Sequence, residues 1–191
     1  KIGPMVVPLP RRRPWQLASE TVTLDALSKG RLILGVGSGT AIQRSFTPFG
    51  EELELKARAE MLDEGLDVLT GLWSGEPVSF DGQHYHVRDA TFLPRPVQAP
   101  RIPIWVGGLW PHQRPFRRAA RWDGFFADVD GVDWERGEIM TADDLRTIVD
   151  YTRSQRTSDT PFEAVIGGHS PGDPPTGAAF TRGNLEMLLL E

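Results

Sequence analysis

Arg101-Ile-Pro-Ile-Trp-Val-Gly-Gly108 is the stretch whose reading decides the fold. Residues 102–106 are rich in β-branched and aromatic types, and Pro103 near their start suits a strand entry better than a strand centre. Two glycines follow, then Leu109-Trp110-Pro111, then an arginine-rich segment over 114–122 that reads as a helix opened near a proline. Strand, glycine turn and helix N-terminus in succession make a βα unit. In such a turn backbone N–H groups converge with the positive end of a helix dipole, which suits a phosphate. The Gly107-Gly108 turn therefore reads either as an anion site or as a tight βα loop that binds nothing.

The same grammar extends in both directions. Residues 2–7 form a short apolar strand candidate interrupted by Pro4, followed by Pro8-Leu-Pro10 and the basic run Arg11-Arg-Arg13. Pro14 opens a helix with Leu17, Leu24 and Leu27 at helical spacing, and Lys29-Gly30 supplies its stop. Residues 31–37 form a second buried strand, parallel to the first because a crossover helix joins them. A long loop over 40–54, marked by Phe46, Pro48, Phe49 and Gly50, precedes the clearest helix. There Leu55, Ala59, Leu62, Leu66, Leu69 and Trp73 alternate steps of four and three, with Glu60, Asp63, Glu64 and Asp67 turned outward. Residues 77–97 break the helical rhythm and read as a hairpin-like excursion. A strand over 125–128, a helix capped by Thr141 and running to about Arg153, and a strand over 162–166 ending in Gly167-Gly168 complete the alternation. The segment 170–177 is a Pro/Gly loop, and 185–190 is too short to read as helix or strand. Strand and helix alternate throughout, so the class is α/β with a largely parallel sheet, and a doubly wound sheet and a β/α barrel both fit.

Composition bounds the function. A chain of 191 residues with 39% hydrophobic content is read as one domain, 1–191, with a real core. Its formal charge of −5 argues against a general nucleic-acid binder. No apolar run approaches the roughly 18 residues of a membrane span, and no signal pattern opens the sequence, which reads as cytoplasmic. The absence of cysteine removes disulfides, thiol nucleophiles and thiolate metal sites, so redox chemistry requires a cofactor.

Few constellations survive weighing. Gly35-Val-Gly-Ser-Gly39 follows a strand, but no helix opens directly after it, as the dinucleotide fingerprint requires, and it reads better as a flexible wall at the C-terminal ends of strands. His84 and His86 alternate onto one face of a strand, and with Asp89 nearby there is still no third ligand of convincing spacing, so they read as a structural hairpin face and no metal site is assigned. No carboxylate pair sits in an apolar setting, and Gly37-Ser-Gly39 is no nucleophile elbow. The three arginines 11–13 are read as a solvated loop or as a holder for an anionic ligand tail.

Several motifs in register then add up to a family. Leu24-Asp-Ala-Leu-Ser-Lys-Gly-Arg-Leu-Ile-Leu-Gly-Val-Gly37, Phe49-Gly-Glu-Glu52, Arg58-Ala-Glu-Met-Leu-Asp-Glu64, Phe80-Asp-Gly-Gln-His-Tyr85, Pro94-Arg-Pro96 and Pro103-Ile-Trp-Val-Gly-Gly108 closely resemble the luciferase-like flavin or deazaflavin oxidoreductases, over residues 1 to about 130. The resemblance implies a (β/α)8 TIM-barrel type of fold with flavin mononucleotide (FMN) or the deazaflavin coenzyme F-420 at the C-terminal ends of the strands. It implies that Gly107 and Gly108 stand beside the cofactor phosphate. Met5, Val6 and Val7 match the end of a strand that often carries a bulge with a non-prolyl cis peptide behind the ring. Gly37 and Ser38 match the loop that skirts the cofactor, where some members carry arginine in place of Ser38. On this alignment the chain begins at the family's third strand, so the barrel is incomplete and the first two βα units lie outside it. Many members keep a catalytic histidine or acid in that region, and no catalytic residue is assigned.

The leading expectation is therefore an oxidoreductase or monooxygenase acting on a small organic substrate, the cofactor carrying the hydride or oxygen chemistry. A non-catalytic cofactor-binding or interaction module is the alternative, and a cofactor-free sugar- or phosphate-processing barrel a weaker third. F-420 is favoured over FMN because clustered guanidinium groups suit a longer anionic tail. The open edge at residues 2–7 leads to the expectation of a homo-oligomer, a dimer in the simplest case.

Overall fold

The structure is a computed structural model that describes residues 1–39, 49–131 and 140–166. Phe46 and Pro48 of the expected loop, Gly167-Gly168, the segment 170–177 and the element at 185–190 lie outside the described residues. The chain divides into two compact units, Lys1–Ile104 and Trp105–Glu191.

In the first unit, strand β1 (Val7–Pro8) leads through a 3-10 turn (Leu9–Arg11) into helix α1 (Pro14–Ser28), and strand β2 (Leu34–Gly37) follows. The two strands are parallel, Val7 facing Val36 and Pro8 facing Gly37, as a helical crossover demands. The expected first strand over 2–7 is broken: Ile2 makes only an isolated bridge to Leu32, and the ladder resumes at Val7. Lys29 at φ 57° and Gly30 at φ 73° end α1 in the left-handed conformation expected of a glycine stop.

The stripe expected on α1 is only partly right. The buried face comprises Pro14, Leu17, Ala18, Thr21, Val22, Asp25 and Ser28, while Leu24 and Leu27 are 48% and 75% exposed. Leu24 falls at the margin of that arc and Leu27 beyond it. Polar residues occupy the inner face because each finds a partner there. The Thr21 hydroxyl donates to Leu17 O and accepts from Trp73 Nε1, and Asp25 accepts three hydrogen bonds.

Helix α2 (Leu55–Trp73) matches the expected stripe from Leu62 onward, burying Leu62, Leu66, Leu69 and Trp73, whereas Leu55 at its start is 61% exposed and Ala59 half-buried, and it packs on α1. Its cap is Glu54, whose carboxylate accepts from Lys56 N and Ala57 N. Strands β3 (Val78–Asp81) and β4 (His86–Ala90) pair antiparallel, which is the expected hairpin excursion. The segment after it is clasped to α1: Val97 N–H, Gln98 N–H and Gln98 Nε2 all donate to the Asp25 carboxylate, at 2.9, 3.1 and 2.7 Å.

In the second unit strand β5 (Ile104–Trp110), which starts at the boundary, is followed by helix α3 (Gln113–Ala119), strand β6 (Gly124–Val129), helix α4 (Ala142–Ser154) and strand β7 (Glu163–Ile166). β5 pairs parallel with β6, and β6 with β7. Rings form the core: Phe116 meets Trp110 and Phe125 edge-on, each at 5.6 Å, and Phe125 meets Phe162 at 5.7 Å. Thr141 caps α4 as expected, and Asp144 completes a full capping box with it.

One expectation is corrected here. Gly107 and Gly108 do not form a turn but stand inside β5, opposite Phe126 and Ala127, and the helix begins only at Gln113. The reason is packing. A Cβ on Gly108 would lie 2.7 Å from Pro115 Cβ and 3.2 Å from Phe116 Cζ, so the missing side chain makes room for α3 rather than for a tight turn.

Candidate functional site

Strands β1 and β2 lie side by side, and five of the candidate residues, Met5, Val6, Val7, Gly37 and Ser38, belong to them or adjoin them. Gly35 is forced by proximity, since a Cβ on it would lie 2.3 Å from Pro4 O. A Cβ on Gly37 would lie 3.1 Å from Val6 Cγ2, so the Val6 side chain lies against Gly37. The peptide between Met5 and Val6 is cis, the non-prolyl geometry that the resemblance implied. Gly37 is buried, Ser38 and Val6 are half-buried, and Met5 is 47% exposed. Val6, just before β1, and Val7 at its start thus lie beside Val36 and Gly37 of β2, with Met5 preceding the first pair and Ser38 following the second in sequence. Gly107 and Gly108 belong to the second unit, on β5.

A residue left unassigned by sequence reading holds this loop. Arg58, in the first turns of α2, is 2% exposed, and its Nη1 donates to Gly39 O at 3.0 Å and to Ser38 O at 3.4 Å. The signal was present: Arg58 leads the series Arg58, Leu62, Leu66, Leu69, Trp73, a charge standing in an apolar stripe. A guanidinium offers five fixed donors, so it can gather the carbonyls of a strand end and set the course of the loop beyond.

Beyond Pro8 the chain walls a cleft of about 700 Å³. The arginines 11–13 and Gln16 form one side, Met61 and Tyr85 another, with Pro8, Pro10 and Glu51 between them. Arg11 Nε stands 3.7 Å from Glu51, and Arg12 Nη1 stands 3.8 Å from Glu20. Tyr85 is 8% exposed, and among the described residues its hydroxyl has no hydrogen-bond partner. Burial, with the Glu64 charge adding to it, pushes the phenol up to about 12, so it keeps its proton and remains a donor.

Glu64, expected to face solvent, instead organises the hairpin. Its carboxylate accepts from the backbone N–H of Gln83, His84 and Tyr85, at 2.8, 2.8 and 3.1 Å. Burial raises its pKa, but the three N–H donors outweigh that and hold it below the usual carboxylate value. The histidines are structural partners here: His84 Nε2 lies 3.4 Å from Glu60 and His86 Nδ1 2.7 Å from Asp81. Among the described residues no three metal-ligating side chains gather. No helix among them is long and apolar enough to cross a membrane.

A family model described as luciferase-like monooxygenase matches residues 1–146. An F-420-dependent glucose-6-phosphate dehydrogenase from Intrasporangium calvum is 33% identical over 162 residues, which cover 81% of this chain and 45% of that protein. The chain thus spans under half the length of this curated relative. Among solved structures, the coenzyme F-420-dependent tetrahydromethanopterin reductase from Methanopyrus kandleri superposes with a TM-score of 0.66 at 20% identity, over 87% of this chain and 49% of that one. The oxygenating constituent of 3,6-diketocamphane monooxygenase, a type II Baeyer–Villiger enzyme from Pseudomonas putida in complex with FMN, gives 0.66 at 18% identity, over 87% and 47%. At these identities the structural likeness shows a shared fold, the α/β type with parallel strands and intervening helices.

Proposed function

Because this chain belongs to the luciferase-like monooxygenase family, we propose that it is the cofactor-holding part of an F-420-dependent oxidoreductase acting on a small organic substrate. The observation that carries this reading is the pairing of β1 with the end of β2, where Val6 lies against Gly37 and Arg58 grips the carbonyls of Ser38 and Gly39. A parallel α/β fold keeps its site at the C-terminal ends of its strands. Buried glycine on β2 and the apolar flank of Met5, Val6 and Val7 fit the face of a flat ring, and the Tyr85 hydroxyl and the arginines 11–13 fit its polar extension. When bound, the deazaflavin supplies hydride transfer. The chain's own residues seat the ring against the strand ends, fix the loop through Arg58 and keep water from its apolar side. Gly107 and Gly108 are assigned to the cofactor on the family motif alone.

F-420 is preferred to FMN on the relative's printed dependence and on the clustered guanidinium groups beyond β1. Pairing of two copies along the edge where Ile2 and Met5 are each 47% exposed, and a cytoplasmic location, belong to the same proposal. The test is titration of the purified chain with F-420 and with FMN, followed by absorbance in the deazaflavin and flavin bands. Tighter binding of F-420 is expected, and failure to bind either cofactor overturns the reading. Binding without turnover of any substrate would favour the alternative, a cofactor-binding module. Light scattering checks the dimer.

A further inference from the structure

We propose that the cleft beyond β1 is a binding site for a small organic anion carrying at least two carboxylate or phosphate groups, held by Arg12, Arg13 and the Tyr85 hydroxyl. The site deepens the cofactor reading without resting on it, because its residues lie outside the ring-facing segment and its probes contain no ring.

Charge is the first support. The chain carries a formal −5, yet three consecutive cations stand on this one turn against a single carboxylate in the cleft wall, Glu51. Arg12 meets Glu20 only at 3.8 Å, beyond hydrogen-bond range, with both side chains about half exposed. Arg13 makes no ion pair among the described residues and is exposed. Such weakly engaged forks are free to take carboxylate or phosphate oxygens in pairs, a geometry that guanidinium favours over ammonium.

The second support is independent of charge. Tyr85 is more than nine-tenths buried and lines the cleft, and among the described residues its hydroxyl is left without a partner. Buried polar groups are nearly always satisfied, and an exception beside a cavity points to an occupant. The phenol offers that occupant a neutral donor. Size and lining define the rest: about 700 Å³ is the scale of a small-molecule site, and Pro8, Pro10 and Met61 give it apolar walls that suit a carbon skeleton over a bare inorganic ion.

The test uses the full 191-residue chain with citrate as the carboxylate probe and pyrophosphate as the phosphate probe, titrated by calorimetry at two salt concentrations. At least one probe should bind the parent. The double variant Arg12→Gln/Arg13→Gln should weaken it at least tenfold and flatten its salt dependence, and Tyr85→Phe should weaken it about threefold without changing the salt slope. Circular dichroism checks that each variant is folded. If the double variant fails to fold, hydrogen exchange on the parent replaces it, and the probe should protect amides within residues 9–17. Silence of both probes, equal affinity in a folded double variant, or no protection overturns the proposal. Natural sources separate in one further arm. If the occupant is the anionic end of F-420, citrate competes with F-420 and not with FMN; if it is a separate anionic substrate, citrate binds the loaded protein. Anion binding in a chain that binds neither cofactor would sink the proposed function and leave this site standing.

Discussion

Replacing Gly108 with alanine adds one methyl group and separates two accounts of that position. Its Cβ would lie 2.7 Å from Pro115 Cβ and 3.2 and 3.4 Å from the Phe116 ring. The first contact is about 1 Å inside the carbon–carbon optimum of roughly 3.5–4.0 Å. Neither neighbour yields easily: Pro115 is ring-locked within α3, and Phe116 is fully buried between Trp110 and Phe125. Relief must come from moving the helix or the strand, and overpacking of that kind costs about 1–3 kcal/mol. For a chain of this size that is roughly 2–4 °C in Tm for each kcal/mol. Gly108→Val should cost more, because its second methyl enters the same contact. If Gly107-Gly108 were an anion-binding turn, a bulky residue at Gly108 would block backbone approach and weaken cofactor binding about tenfold, roughly 1.4 kcal/mol. The structure directs the added group at α3, so affinity should fall only as far as the folded fraction falls. Thermal melts followed by circular dichroism, paired with cofactor titration well below Tm, distinguish the two. Parent-like melting with a tenfold loss of affinity would refute the packing account and show that the added group meets the ligand instead of α3.

Three further perturbations test the supports of the site. Arg58→Met should destabilise the chain by about 1.5–3 kcal/mol, the scale of a hydrogen bond to a charged group, and speed hydrogen exchange around Ser38 and Gly39; Arg58→Lys should recover part of the loss in urea unfolding. Glu64 has a folded pKa below its unfolded value near 4.5, so its contribution is fully present above that pH and is lost as pH falls through the folded value. Glu64→Gln should therefore lower stability at neutral pH and shrink the acid limb below about pH 4.5, whereas identical pH profiles would discard the carboxylate clasp. Asp25→Ala should cost about 1–3 kcal/mol for each of the three donors that water cannot reach, with loss of exchange protection at Val97 and Gln98 as the local signature.

Sequence alone determined what depends on local chemistry and on period. The α2 stripe from Leu62 to Trp73, the Thr141 cap, the Lys29-Gly30 stop and the antiparallel hairpin were legible because each is set by neighbours within a few residues. Several motifs in register carried the family, and with it the candidate residues Met5, Val6, Val7, Gly37 and Ser38, which belong to or adjoin the paired strands β1 and β2. Tertiary structure decided what depends on distant partners. Asp25 and Thr21 belong to the inner face of α1 only because Gln98 and Trp73, far along the chain, come to meet them. Glu64 leaves the solvent face because three hairpin amides close on it, and Arg58 can stand in an apolar stripe because two carbonyls of another element satisfy it. Gly107-Gly108 has the composition of a turn, yet it is strand, because pairing with β6 and the close approach of α3 outweigh local preference. A buried polar group is stable only where its partner is, and the partner's position is a property of the folded chain.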